Sequence, residues 1–509
     1  MVLENLHPKN AWSIFETIFA STPRPSNHED RIRAKIAGWA TQNAKKGISC
    51  HQDPAGNLLL RKKASPGCET WPAVMLQGHM DMVCETSRPD GYNFLDEPIQ
   101  VRIDPDGEWI SADGTTLGAD DGLGASIALG LLLDDDPAFV HGPIEVLLTF
   151  AEETGLDGAY KLDPAALGVE ARYVINVDSE ELGVITIGSA GGGSVKIEKT
   201  IVPEERACLD SLAWFELTVS GLRGGHSGVD IHLPRANAIK LVARLLCAVI
   251  QKVEIFLSSW EGGTRGNAIP RSSVVRFAAK SEDKDVLSET VKNESAKIER
   301  YYKSKLPGGD ILEPEIHITL NEAKHTTCIT SDKTAEIVRL ANGLPSGPHR
   351  FSPTLPSLVE TSDNLAIVKS SLNEGHIEFL LSVRSNVDDE LESFRRSIAS
   401  IGQLASWHVT LSDAYPAWPP EPGSRFMEFV RKKYEGRFGK PVDVRAVHAG
   451  LECSIIAKKM AIPAKNIISI GPEIQNAHSP AERARIADIQ VLYDILKDIL
   501  RDANQLPRG

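Results

Sequence analysis

Histidines and carboxylates stand just beyond several short apolar runs of this chain. AVML (73–76) leads into Gln77, Gly78, His79, Met80 and Asp81. IEVLLTF (144–150) leads into Ala151, Glu152 and Glu153, and YVINV (173–177) into Asp178. IISI (467–470) leads, through a loop, into Asn476, Ala477 and His478. Asp120, inside LGADDG, opens the apolar stretch Leu123–Leu133. Imidazole and carboxylate both bind zinc or a similar ion, and one carboxylate can bridge two ions. Ions paired about 3.5–4 Å apart can activate a water and stabilise an oxyanion. His79 and Asp81 are two apart, so on an extended chain they share a face, and one can ligate while the other orients it. Glu152 and Glu153 point in different directions, so one can bind metal while the other moves protons. Each motif has a plainer reading by itself. An HxD is incidental, an EE pair is a solvated face, Asp-Asp before a helix is a cap, and Asp178 is a turn residue. The joint pattern is harder to dismiss, because separate segments place ligand-type residues at equivalent positions.

Those positions make sense if the apolar runs are strands. NLLLR (57–61) and the four runs above are short enough for buried strands, and Leu123–Leu133 has a helical pattern. Residues 11–43 also read as helical, with Ser26 or Asn27 as the cap of an amphipathic stretch. Strands alternating with helices predict an α/β domain, a mostly parallel sheet flanked by helices. In open sheets of this kind functional groups gather beyond the carboxyl ends of the strands. The region 195–405 differs. It reads as a loose duplication: strand 214–219, helix 236–249, strand 273–277, helix 286–302, then strand 315–320, helix 332–341, strand 377–384, helix 389–401. This predicts an inserted α+β lid domain of two similar halves, with the metal-binding domain built from 1–194 and 406–509.

Bulk properties narrow the class. A chain of 509 residues is long for one domain, and 42% hydrophobic with 24% charged residues is ordinary for a globular protein. A net charge of −14 argues against nucleic acid or an anionic membrane as partner. The N-terminus lacks the basic start and apolar run of a secretory signal, and no run of 18 apolar residues suggests a membrane span. The cysteines, Cys50, Cys68, Cys84, Cys208, Cys247, Cys328 and Cys453, are odd in number and lack CxxC spacing. A disulfide framework and a zinc–thiolate site are not expected, and a cytoplasmic location is.

Taken in order, GHMDMV (78–83), LGADDG (117–122), AEETG (151–155), NVDSEELG (176–183), GGHSG (224–228) and NAHSPAE (476–482) strongly resemble the M20 family of metallopeptidases. SAGGG (189–193), LSVRS (381–385) and HAGLE (448–452) resemble its aminoacyl-histidine dipeptidase (Xaa-His dipeptidase, peptidase D) branch, and the likeness covers nearly the whole chain. The resemblance implies a zinc-dependent dipeptidase with two divalent ions, cobalt or manganese being alternatives to zinc. His79 and Asp178 would hold one ion, Glu153 and His478 the other, and Asp120 would bridge them, its peptide bond to Asp121 being cis. Asp81 would orient His79. Glu152 would be the general base that deprotonates the attacking water and then protonates the leaving amine. His226 in GGHSG, by itself a turn residue, matches the group that polarises the scissile carbonyl. Arg384, as readily a surface strand arginine, matches one that binds the substrate's terminal carboxylate. Asn267 in RGNAIP is a candidate substrate contact. Glu452 is a candidate to meet the free amine of a dipeptide, with Gly450 allowing close backbone approach.

Short-lid members of this family take the carbonyl-polarising histidine from a partner subunit. The lid here is about twice that size, so His226 is expected to serve its own chain, whether the protein is a monomer or a homodimer. The competing readings are an amidohydrolase acting on N-acyl-amino acids, which needs the same metal centre, and a metal-binding scaffold without turnover.

Overall fold

The computed structural model describes residues 2–201, 211–324, 327–371 and 375–507. The chain divides into two compact units. The first comprises Met1–Ser189, Trp418–Ala446 and Leu451–Gly509; the second comprises Ala190–Ala417 and Val447–Gly450. The expected borders at 195 and 405 thus move to 190 and 417, and 447–450 passes to the second unit. Cys208 lies outside the described residues. No helix among the described residues is long and apolar enough to cross a membrane.

The first unit is built on an eight-stranded sheet. Its middle consists of four parallel strands in the order Ile144–Thr149, Val74–His79, Tyr173–Asn176 and Ile467–Ser469. Leu58–Lys62 and Ile48–Gln52 extend it antiparallel on one side; Val184–Ser189 and Asp443–Val447 follow on the other. Successive strand residues point to opposite faces, and here both faces are buried. Val74, Leu76, Val146, Leu148 and Ile175 share one core with Leu123, Ile127, Leu492 and Ile495. Met75, Leu147 and Val174 share another with Leu162, Ile455 and Ile456. That is why these strands read as continuous apolar runs rather than as alternating ones. The helix Ala119–Leu132 is buried almost all round. A small antiparallel sheet of Val101–Ile103, Trp109–Ala112, Arg483–Arg485 and Ile474–Gln475 holds the loop that carries His478.

One helical expectation fails. Residues 11–43 do not form one helix capped by Ser26 or Asn27. Lys9–Ile14 runs on as a wider-wound turn to Ala20, and a second helix, Asp30–Gln42, starts only after a break. Pro23 and Pro25 lie in that break; each lacks a backbone donor and disfavours helix in the residue before it.

The second unit is a nine-stranded sheet. Its order is His317–Glu322, Leu212–Ser220, Ser273–Lys280, Ile255–Gly262, Val359–Ser371, His376–Ser385, Gly191–Thr200 and His408–Leu411, with Gly347–Phe351 pairing on Val359–Ser371. Helices Ala238–Val249, Lys284–Tyr302, Ser331–Gly343 and Asp388–Leu404 share one core with it, through Leu245, Val291, Ile337 and Ile398. The strand expected at 315–320 opens no second half. It pairs with Leu212–Ser220 and closes the edge of the first. The halves join where Glu261 and Gly262 pair with Lys369 and Val368.

Candidate functional site

The ends of the four parallel strands assemble a carboxylate–imidazole cluster in the first unit. Asp120 is its hub: its Oδ1 lies 3.0 Å from His79 Nε2 and its Oδ2 lies 3.0 Å from His478 Nε2. Asp178 Oδ1 stands 3.4 Å from the same His79 nitrogen, and Glu153 Oε2 stands 3.0 Å from His478 Nε2. Ligand atoms of His79, Asp120 and Asp178 lie within 4.8 Å of one another, as do those of Asp120, Glu153 and His478, and those of His79, Glu152 and Glu153. The Asp120–Asp121 peptide is cis. Ala151 and His478 adopt left-handed backbone conformations, with φ of 47° and 62°. Such conformations cost non-glycine residues about 1–3 kcal/mol each and gather at functional sites.

The charges are poised for a cation. Burial alone would raise the Asp120 pKa, yet its bonds to His478 and His79 outweigh that and hold it low. Bonds to Asp120 and Glu153 push His478 up to about 11. Burial, with Asp120 beside it, raises Asp178 well above the carboxylate range. Burial likewise raises Glu152, reinforced by Asp178, Glu452 and Glu153. Glu153 Oε1 is buried with no hydrogen-bond partner among the described residues. A nitrogen and oxygen donor set of this kind, crowded with anions and carrying an unsatisfied oxygen, fits divalent cations of the zinc type.

The surroundings fix these ligands. Asp81 Oδ1 faces His79 Nδ1 at 3.4 Å. The Asp81 carboxylate also accepts from Ser26 Oγ at 2.7 Å and from the backbone N–H groups of Glu152 at 3.1 Å and Glu153 at 3.3 Å. It thus ties His79 to the Glu152-Glu153 turn, and Ser26 serves this site rather than a helix end. Glu482 accepts four backbone N–H bonds, from Leu117, Gly118, Ala119 and Asp120. Arg24, 1% exposed, donates to the carbonyls of Met80, Asp81 and Gly118. A Cβ on Gly78 or Gly124 would overlap the Asp121 carboxylate. Behind the ligands one polar residue from each parallel strand joins a buried chain. Ser469 donates to Asn176, Asn176 to Gln77, and Gln77 and Thr149 both donate to Glu452 Oε2 at 2.7 Å. Glu452 is 1% exposed, and burial lifts it to about 7. Its carboxylate braces strand ends; a substrate amine would find only Oε1, which is buried too.

The sequence points to the ligands and offers Glu452 to a substrate amine, but it marks no role for Arg24, Glu482, Gln77, Thr149, Asn176 or Ser469. Glu482 lay inside the quoted NAHSPAE motif, which was its only signal.

The second unit gathers His226, Arg384 and His448. His226 Nδ1 accepts from the N–H groups of Gly228 at 3.2 Å and Val229 at 3.0 Å. The ring's proton therefore sits on Nε2, a donor. Burial and then Arg384 lower the His226 pKa, which keeps the ring neutral. Asn267 is exposed; its carbonyl accepts the Ser227 N–H at 2.8 Å and so braces the His226 turn. Arg384 is no surface arginine, being 8% exposed. Its Nε has no partner, and among the described residues no carboxylate lies within 4.0 Å of its guanidinium. Its guanidinium instead bonds a neutral group, donating from an Nη to Tyr415 Oη at 2.7 Å. His448 bonds Ser362 Oγ at 2.7 Å and Asn386 Oδ1 at 3.1 Å. Gly450 packs on the Tyr415 ring, where an added Cβ would lie 3.0 Å from Cε2.

Comparison with known proteins agrees over the whole length. The pattern of Peptidase family M20/M25/M40 matches residues 75–502. The cytosol non-specific dipeptidase of Escherichia coli (strain K12) is 36% identical over 503 residues, 98% of this chain and 99% of that one. The crystal structure of aminoacylhistidine dipeptidase from Vibrio alginolyticus superposes with a TM-score of 0.87 at 33% identity, covering 98% of each chain. A tripeptidase from Staphylococcus aureus, 14% identical with a TM-score of 0.54, shares the fold.

Proposed function

This chain belongs to peptidase family M20/M25/M40, and from that premise we propose that it is a dipeptidase which uses two divalent cations and accepts Xaa-His substrates. The observation that carries the reading is Asp120, whose two oxygens each face a different histidine at 3.0 Å. His79 and Asp178 would hold one cation, Glu153 and His478 the other, and Asp120 both. Bound cations, zinc by donor type with cobalt or manganese as alternatives, would supply Lewis-acid polarisation and a water of lowered pKa. Glu152 takes the proton of the attacking water and passes it to the departing amine. Asp81 keeps His79 turned toward the cluster. The neutral His226 offers Nε2–H to the carbonyl oxygen as negative charge develops there. Arg384, a buried cation with no carboxylate within 4.0 Å among the described residues, takes the substrate's terminal carboxylate.

The two similar dipeptidases are named differently, one non-specific and one for aminoacyl-histidine, so the side chain at the second position is the variable to measure. A panel of β-Ala-His, Ala-His, Ala-Ala and N-acetyl-amino acids, run on chelated and on zinc-, cobalt- or manganese-reconstituted protein, tests the proposal. Expected is metal-dependent cleavage of the dipeptides and little of the N-acetyl compounds. Cleavage of the N-acetyl compounds alone would make it an amidohydrolase, and no turnover with any metal would make it a binding protein.

A further inference from the structure

Arg384, Gly192 and Tyr415 stand side by side on three adjacent segments of the second unit. Arg384 on His376–Ser385 is the register partner of Gly192 on Gly191–Thr200. Gly192 is bridged on its other side by Tyr415, with backbone bonds of 3.1 Å and 2.9 Å between them. Residues directly opposite across antiparallel strands put their side chains on one face. Arg384 and Tyr415 therefore share a face with a residue that has no side chain between them. Over that gap the guanidinium reaches the phenol and donates to Oη at 2.7 Å. Any larger residue at 192 closes the gap: its Cβ would lie 2.6 Å from Tyr415 Cζ. Gly450 packs the ring from another side.

The bond has a direction. The guanidinium only donates, so Tyr415 Oη accepts and keeps its own hydrogen to give elsewhere. Beside a buried cation that has no carboxylate within 4.0 Å among the described residues, this leaves a free O–H donor. We propose that Tyr415 is a specificity-determining residue of the dipeptidase, which donates its phenol hydrogen to the substrate's terminal carboxylate while holding Arg384 in place for the same group. This rests on the dipeptidase reading and on Arg384 as the carboxylate anchor, and it adds what decides between a free acid and its amide. A carboxylate accepts from both donors. A carboxamide has one accepting oxygen and presents N–H to the second donor, which leaves two donors facing each other at a part-buried site. A site built this way rejects the uncharged analogue far more strongly than an apolar pocket would.

The test separates binding from turnover. In zinc-loaded protein carrying Glu152→Gln, calorimetry measures Kd for Ala-His and for its C-terminal amide. The acid should bind the more tightly. Adding Tyr415→Phe should weaken the acid about tenfold or more, the scale of one bond to a charged group, and shift the amide far less. Gly192→Ala keeps the phenol but displaces it, so it should reduce the acid-to-amide preference in the same way; it also stands in if Tyr415→Phe does not fold by near-ultraviolet circular dichroism. An unchanged acid-to-amide ratio in the two variants overturns the proposal, and so does equal affinity for acid and amide in the parent. If native protein cleaves no dipeptide while the Glu152→Gln protein still prefers the acid, the dipeptidase reading falls and the clamp stands. Binding of neither ligand overturns both.

Discussion

Glu152 and Glu153 are neighbours of the same type, and the structure separates what each can do. Glu153 shares a 3.0 Å ion pair with His478, whereas the half-buried Glu152 has its proton affinity raised by desolvation first and then by Asp178, Glu452 and Glu153. Glu152→Gln should therefore lower kcat about 10²-fold or more, while metal content by elemental analysis stays at the native level. A variant that loses a metal along with its activity would make Glu152 a ligand instead. Asp81→Asn should do the reverse: its carboxylate ties His79 to the Glu152-Glu153 turn, so affinity for zinc, read by chelator competition, should fall about 10–100-fold. The ligands themselves were legible because each follows an apolar run, and a buried parallel strand can hardly be written any other way. Arg24 and Glu482 were not legible. They act on backbone carbonyl and N–H groups, which every residue has, so nothing in the sequence marks their targets.

Elements explain why such partners matter. The segment 117–120 presents Asp120 to both histidines, and it is held by one side chain, Glu482, through four N–H bonds. Glu482→Gln keeps the shape but confronts some of those donors with an NH₂ group. Unmet buried donors cost about 1–3 kcal/mol each, so thermal unfolding should begin several degrees lower, and zinc affinity should fall with it. A native-like Tm with native zinc binding would sink this account. The segment Val447–Gly450 is pinned in the second unit by His448, between Ser362 and Asn386. Burial, then Arg384 and His226, push His448 down to about 3, from an ordinary value of about 6.5. A folded value below the unfolded one means its contribution is complete above about pH 6.5 and is lost as pH falls toward 3. Urea midpoints of the native protein should decline more steeply across that window than those of His448→Gln. That the border falls inside HAGLE is not legible in the sequence, because a four-residue clip made by one histidine leaves no periodicity to read. The place of the strand at 315–320 is hidden for a related reason: strand residues are recognisable from pattern, but which edge they pair with depends on chain far away in sequence.

At the scale of the molecule, the chain passes between its units at 189–190, 417–418, 446–447 and 450–451. The base and the metal ligands belong to one unit, and His226 and Arg384 to the other. The question this raises is which chain's His226 works with a given Glu152. The inserted unit joins its halves in one nine-stranded sheet with a shared core. We therefore expect each chain to use its own histidine. His226→Ala and Glu152→Gln, each nearly inactive, are mixed, unfolded and refolded together so that subunits of any oligomer exchange, and dipeptide cleavage is measured against each variant alone. If histidine and base come from one chain, every chain in the mixture lacks one of them and no activity returns. If His226 acts across subunits, a mixed dimer reunites an intact His226 with an intact Glu152, and activity well above either parent would overturn the expectation.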